Sequence, residues 1–173
     1  MKSAVKPVKL ESILTKSTSG GYFLDVSPEI AEQFKTDAKT RRVVCTLNEI
    51  HTFQCALMPN KGKFTIGVSK PIREKLRLGE GDTVHLKIEK DTSKYGAPMP
   101  EDFEEVLRQD EEGSRLFHAL TAGMQRSLLY YIGNVKDIDR RIHLALIVLE
   151  HLTENGGKIV PEQLQHDIKR PLF

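Results

Sequence analysis

VSPEIAEQF, residues 26–34, returns as VSKPIREKL, residues 68–76, an offset of 42 that lays Val26 on Val68, Ser27 on Ser69, Ile30 on Ile72 and Phe34 on Leu76. Each copy has the same neighbours. Upstream, ESILTK and GYFLDVS in the first copy and FQCALM and KFTIGVS in the second read as pairs of alternating strands, joined by the turn sequences STSGG and PNKG. Downstream, RRVVCTLN and DTVHLKIE each supply one more strand. The unit is therefore strand, strand, short helix, strand, written over residues 8–47 and again over 51–91. Ser27 and Ser69 stand where a hydroxyl caps a helix, and Pro28 and Pro71 fit a first turn, where a missing N–H costs nothing. Gly79 and Gly81 mark a corner that admits positive φ. A unit of roughly 40 residues cannot bury a core alone. Two copies pairing about a pseudo-twofold axis and closing one six-stranded barrel is the economical solution.

From Tyr95 the punctuation changes. YGAPM, residues 95–99, reads as a link between a strand-rich domain over 1–94 and an all-helical one over 100–173, which makes the chain α+β. Pro100 opens a first helix with Phe103, Val106 and Leu107 as its apolar stripe, and Asp110 opens a second with Leu116, Phe117 and Leu120. Thr121 caps a third, in which Met124, Leu128, Tyr131, Ile132 and Val135 follow helical spacing. The fourth, about 137–155, carries Ile138, Ile142, Ala145, Leu146, Leu149 and Leu152 and ends at Gly156 and Gly157. A short helix is expected near Glu162 to Lys169, between Pro161 and Pro171.

With 39% hydrophobic and 29% charged residues, the composition is that of an ordinary globular protein. The opening MKSAVKPVKLESILTKS has no apolar h-region, and nowhere do about 18 apolar residues run together, so the expectation is a cytoplasmic protein with no integral membrane segment. The net charge of +2 is unevenly spread. Residues 1–97 hold 17 Lys or Arg against 11 Asp or Glu, and residues 98–173 hold 9 against 13, giving +6 and −4. Such a division favours an anionic partner for the first half.

Cys45 and Cys55 fall in a hairpin about Asn48 to Ile50, where Glu49 replaces the more usual glycine. A three-residue loop sets Cys45 opposite Phe53 and Val43 opposite Cys55, which puts both thiols on the apolar face but on a diagonal. Packed free thiols are favoured over a disulfide or a nucleophile.

GGYFLDVSPEIAEQF, RRVVCTLN, SKPIREKLRLGEGDTV and LKIEKD are similar to the swapped-hairpin barrels of transition-state regulators and antitoxins, in which two chains each give one unit and the dimer binds DNA. With both units in one chain, residues 8–92 more closely resemble the double-split barrel, a domain of unknown function, found fused in YdeI-like bacterial proteins. In the second half, PEDF, the stretch from FHAL to Gln125, YYIG and the cluster from Lys136 to Arg141 come in the order of the helical domain called bacteriocin-protection, YdeI or OmpD-associated, which residues 98–157 resemble. The resemblance implies a bacterial protein of a family named for porin association and bacteriocin protection. It implies no chemistry.

Candidate sites follow charge. Arg41 and Arg42 before the third strand, and Lys70 and Arg73 on the second short helix with Lys75 and Arg77 beside them, are the cations a DNA-binding barrel needs for phosphates, although an ordinary solvated face is the simpler reading. Lys136, Arg140 and Arg141 lie at the start of the fourth helix, a poor place for cations unless nearby Asp137 and Asp139 compensate, or they pair with Glu104, Glu105, Glu111 or Glu112 or bind an anion. Histidines 51, 85, 118, 143, 151 and 166 make no HExxH or similar spacing, so no metal is expected. Ser69 and Lys70 are adjacent and point apart, and Gly79 to Asp82 lacks the GK[ST] of a phosphate loop, so neither a catalytic set nor a cofactor is expected. The sequence therefore favours a non-enzymatic protein that binds a protein partner or small anion in antimicrobial-peptide or bacteriocin tolerance, with a DNA-binding regulator as the alternative.

Overall fold

The computed structural model describes residues 4–172, and the chain divides between Thr92 and Ser93 into a strand-rich unit and a helical one. In the first unit the order is β1 (Val8–Ile13), β2 (Thr15–Lys16), β3 (Tyr22–Val26), α1 (Pro28–Gln33), β4 (Arg42–Leu47), β5 (His51–Ala56), β6 (Met58–Asn60), β7 (Lys63–Gly67), α2 (Lys70–Leu76) and β8 (Thr83–Lys90). Two antiparallel sheets result, ordered β1-β8-β4-β5 and β2-β3-β7-β6.

The register carries the duplication further than the sequence does. Val8 pairs with Ile88 as His51 pairs with Leu47, and Thr15 pairs with Phe23 as Met58 pairs with Thr65. The β4–β8 and β3–β7 ladders join the copies to each other. Six strands closing one barrel had been expected, whereas eight strands form two open sheets. The difference lies at Leu14 and Leu57, equivalent residues at which the first strand of each copy leaves one sheet for the other. A strand that changes sheets must break its ladder at the corner. The freed Leu14 N–H donates to the Asp82 carbonyl and the Leu57 N–H to the Arg41 carbonyl, both at 2.9 Å. Both leucine side chains are buried.

Period-two alternation supplies the core between the sheets, with Leu24, Val26, Ile66 and Val68 from one and Val43, Cys45, Leu47, Val84, Leu86 and Ile88 from the other. Ala31 and Phe34 close it from α1. Each such aliphatic or aromatic side chain contributes about 2 kcal/mol of burial.

The helix starts differ. The Ser27 hydroxyl accepts from Ile30 N at 3.4 Å, but Ser69, expected to do the same, makes no side-chain cap. Pro71 sits at the second helical position rather than the first, which removes one of the two N–H groups a cap can use. At the far end of α2 the left-handed residue is Arg77 (φ 54°), and of the two corner glycines Gly81 has positive φ (89°).

The second unit comprises α3 (Glu101–Gln109), α4 (Glu111–Ala119), α5 (Ala122–Gly133), α6 (Ile138–Glu154) and α7 (Pro161–Asp167). Asp110, Thr121 and Asp137 cap α4, α5 and α6 through Gly113, Met124 and Arg140 N–H groups. Residues 95–99, expected as a link, belong to this unit, where Ala97 is buried and Tyr95 and Met99 pack against the core. Phe103 and Phe117 meet edge to face at 5.3 Å in its centre.

Helix α6 packs against α3, α4, α5 and α7, so it buries a broad arc rather than one stripe. Leu144, Ile147 and Val148 are inside with Ala145, Leu149 and Leu152, while Ile138 and Leu146, expected inside, are exposed. On α5 the buried set is Leu128, Leu129 and Ile132, with Met124 and Tyr131 outside. His151 is fully buried. Its Nε2 accepts from Val160 N at 3.0 Å, which leaves the ring proton on Nδ1 to donate to Asp167 at 3.1 Å and so tie α7 to α6. That hydrogen bond holds the Asp167 carboxyl below its ordinary value.

Candidate functional site

Within each unit the cations singled out in the sequence have different surroundings. Arg141 is half-buried: its Nε donates to Asp102 Oδ2 at 2.6 Å and a terminal nitrogen donates to the Val135 carbonyl at 2.9 Å. It braces α6 against α3, and its partner is Asp102 rather than the four glutamates expected. Of those, Glu105 pairs with Arg108 and Glu112 with Arg115. Lys136 and Arg140 remain on the surface.

Arg41 and Arg73 each cover an aromatic ring at equivalent places of the repeat. The Arg41 guanidinium lies 4.4 Å from the centre of Phe64, and that of Arg73 lies 3.7 Å from the centre of Tyr22, the residue equivalent to Phe64. Tyr22 and Phe64 sit at opposite ends of the β3–β7 ladder, four residues or about 13 Å apart along the strand. The two guanidinium groups therefore serve different ends of the sheet. Arg41 is paired with Glu32 of α1, and the guanidinium holds that carboxyl below its ordinary value. Arg42 heads β4, half-buried, near Cys55.

Around Arg73 the balance is different. Lys16, opposite Tyr22 on β2, places its ammonium 5.9 Å from the same ring. Lys75 reaches His51 Nδ1 at 3.2 Å, so its neighbour is a neutral acceptor, and burial with the nearby lysine lowers the His51 pKa. Lys70 pairs loosely with Glu74 at 3.7 Å, both ends well exposed. Among the described residues Arg73 has no acidic partner within ion-pair distance, and its Nε is buried without a hydrogen bond.

A trough of about 790 Å³ opens on the solvent face of the β1-β8-β4-β5 sheet, lined by Lys9, Glu11, Thr46, Asn48, His85 and Lys87 among others. The register builds it: Lys9, Lys87, Thr46 and Thr52 form one cross-strand row, and Glu11 faces His85 in the next. His85 Nδ1 meets Glu11 at 3.1 Å, Lys87 meets Glu89 at 3.1 Å, and Asn48 Oδ1 accepts from His85 N at 2.9 Å. Asn48 and Glu49 adopt positive φ (49° and 58°) in the hairpin that closes one end, so the turn forms without the glycine. The trough was not legible in advance, because its rows join strands far apart in sequence.

Both thiols are free and diagonal, as the hairpin register required. Burial raises the Cys45 thiol far above its ordinary value and pushes Cys55 up to about 12, so neither is a nucleophile at neutral pH. Among the described residues no three His, Cys, Asp or Glu side chains gather to hold a metal, and no helix is long and apolar enough to cross a membrane.

Residues 11–88 match a family described as a domain of unknown function, DUF1905, and residues 97–143 match the family described as bacteriocin-protection, YdeI or OmpD-associated. The chain belongs to the YdeI and OmpD-associated family, with the DUF1905 domain preceding it. No curated protein matches it. The DUF1905 match takes in nearly the whole repeat from β1 to β8, including the Arg73 cluster and, apart from Lys9 and Leu10, the residues that line the trough. The OmpD-associated match runs from before α3 to the first turns of α6 and so includes Arg141 and Asp102, while His151, α7 and Asp167 lie beyond it.

Proposed function

We propose that this YdeI and OmpD-associated protein is a non-enzymatic binding protein, acting in the cytoplasm in tolerance of bacteriocins or antimicrobial peptides, and that the strand unit holds a charged partner in its trough. One observation carries the reading: an open trough of about 790 Å³ is lined by Lys9, Glu11, Glu49 and Lys87, with Glu11 beside His85 and Lys87 beside Glu89 at its edge. Such a surface offers both signs of charge and several hydrogen-bonding groups to a partner, whereas catalysis calls for an enclosed site with perturbed acids or bases. Titration calorimetry with a cationic amphipathic peptide and with inorganic phosphate, on wild type and on Thr46→Arg, tests it. Binding of the peptide that weakens about tenfold, or 1.4 kcal/mol, in the variant, or of phosphate that tightens against the added cation, is the expected result. Unchanged affinity in the variant, or turnover in a hydrolase and transferase panel that one point substitution abolishes, contradicts it.

A second reading, a DNA-binding regulator, is favoured by the Arg73 cluster, in which Arg73 and Lys16 have no carboxylate partner among the described residues, on a unit that resembles DNA-binding swapped-hairpin barrels.

A further inference from the structure

The repeat offers an internal control for the meaning of its charges. At equivalent positions of one backbone, the first copy has Pro28, Ala31, Gln33 and Lys35 where the second has Lys70, Arg73, Lys75 and Arg77. In the first copy the guanidinium over the aromatic ring is Arg41, and Glu32 neutralises it. In the second the guanidinium over the equivalent ring is Arg73, which comes from the helix itself and has the ring face of Tyr22 but, among the described residues, no carboxylate partner; the Nε atoms of both arginines are buried without a hydrogen bond. The acid is kept, since Glu74 stands where Glu32 does, but it pairs with Lys70 and not with Arg73; packing does not explain the three added cations, because the first copy makes the same helix without them.

We infer that the α2 face of the second copy, with Arg73 at its centre and Lys16, Lys70, Lys75 and Arg77 about it, is a one-sided docking surface for the phosphate backbone of a nucleic-acid strand. The inference rests on the nucleic-acid reading and names its contact. Tyr22 holds the guanidinium plane in place, which spares the arginine part of the entropy it loses on binding and leaves its outward N–H groups directed at an oxygen anion. Lys70 and Arg73 are three residues apart on the helix and Arg77 follows four later, a rise of about 10 Å from first to last, enough to span neighbouring phosphates. Contacts to phosphate oxygens carry no sequence information, so recognition through this face is independent of sequence. It is also one-sided. A symmetric pair of swapped-hairpin chains presents two equal faces, and here the first copy has one cation, Lys35, at the four positions where the second has four.

The test is fluorescence anisotropy of labelled single-stranded and duplex oligonucleotides of random sequence with the full chain, titrated with salt, for wild type, Arg73→Gln and Arg41→Gln. Thermal unfolding of each variant confirms that it is folded. Binding that weakens with salt, falls about tenfold in Arg73→Gln with a salt slope shallower by about 1, and changes less than about twofold in Arg41→Gln is the expected result. If wild type binds but both variants lose affinity equally, or neither does, the nucleic-acid reading stands and this face is wrong. If wild type shows no binding even at low ionic strength, both fall. The two arms show whether the strand is single or paired.

Discussion

The two copies of the repeat fold alike and are charged unlike. Leu14 and Leu57 turn the same corner, Ser27 and Ser69 begin the same helix, and Tyr22 and Phe64 each lie under a guanidinium. Yet the first copy encloses its arginine with Glu32, and the second leaves Arg73 with a ring and three neighbouring cations on α2 and its cap. The backbone of a duplicated unit is held in common by the core the copies share, because either copy would lose its corner and ladder if the other drifted. Surface charge is under no such bond. Where the copies diverge on the outside while the register stays matched, the divergence marks use rather than folding.

The largest expected effect tests the shared half of that comparison. Leu14→Ala and Leu57→Ala each remove a fully buried leucine at an equivalent corner, and each is expected to cost about 2–5 kcal/mol in denaturant unfolding, with the two values close to each other. A large inequality would mean that the corners are not equivalent in energy. A smaller effect tests the divergent half. Glu32→Gln leaves Arg41, like Arg73, without a carboxylate, so affinity for an anionic strand is expected to rise by a few fold in the anisotropy measurement. The same pair gives a pH signature with a definite sign. Because Arg41 holds the Glu32 pKa below its ordinary value of 4.5, the stability it adds is fully present above that value and is lost as pH falls through the lowered native one. Wild type and Glu32→Gln should therefore differ in stability at neutral pH and converge in acid. The smallest effect is chemical: with both thiols raised by burial, a thiol reagent is expected to leave the native protein unmodified at neutral pH and to label Cys45 and Cys55 together on unfolding.

Much of the fold was legible because it is written twice. The motif at Val26 and Val68 set the unit, alternation set the strands, and the hairpin register at Cys45 and Cys55 followed from loop length alone. What escaped was whatever depends on partners distant in sequence. The corners at Leu14 and Leu57 look like any other strand residue until the second sheet is in place. The trough needs the register of β1, β8 and β4, and no local pattern states it. In the helical unit, Leu146 and Met124 fit helical spacing as well as the residues that are buried, and only the number of helices packed about α6 decides between them. Arg141 was visible as a cation, but its partner Asp102 is 39 residues away on α3. Charge was legible as a count and misleading as a cluster: of the seven candidates, Arg141 is consumed by Asp102 and Val135, Arg41 by Glu32, and Arg73 keeps its guanidinium free of acid while lying over Tyr22. Lys16 and Tyr22, which complete that last arrangement, are single residues on short strands with no motif to announce them.

The difference between the copies is tested most directly by amide chemical-shift mapping of the full chain titrated with a short single-stranded oligonucleotide. Shifts gathered at Lys16, Tyr22, Arg73 and Lys75, with the equivalent end of the ladder at Phe64 and Arg41 unmoved, are the expected result. Equal shifts at both ends of the β3–β7 ladder, or shifts confined to the trough at Lys9, Thr46 and Lys87, would contradict it.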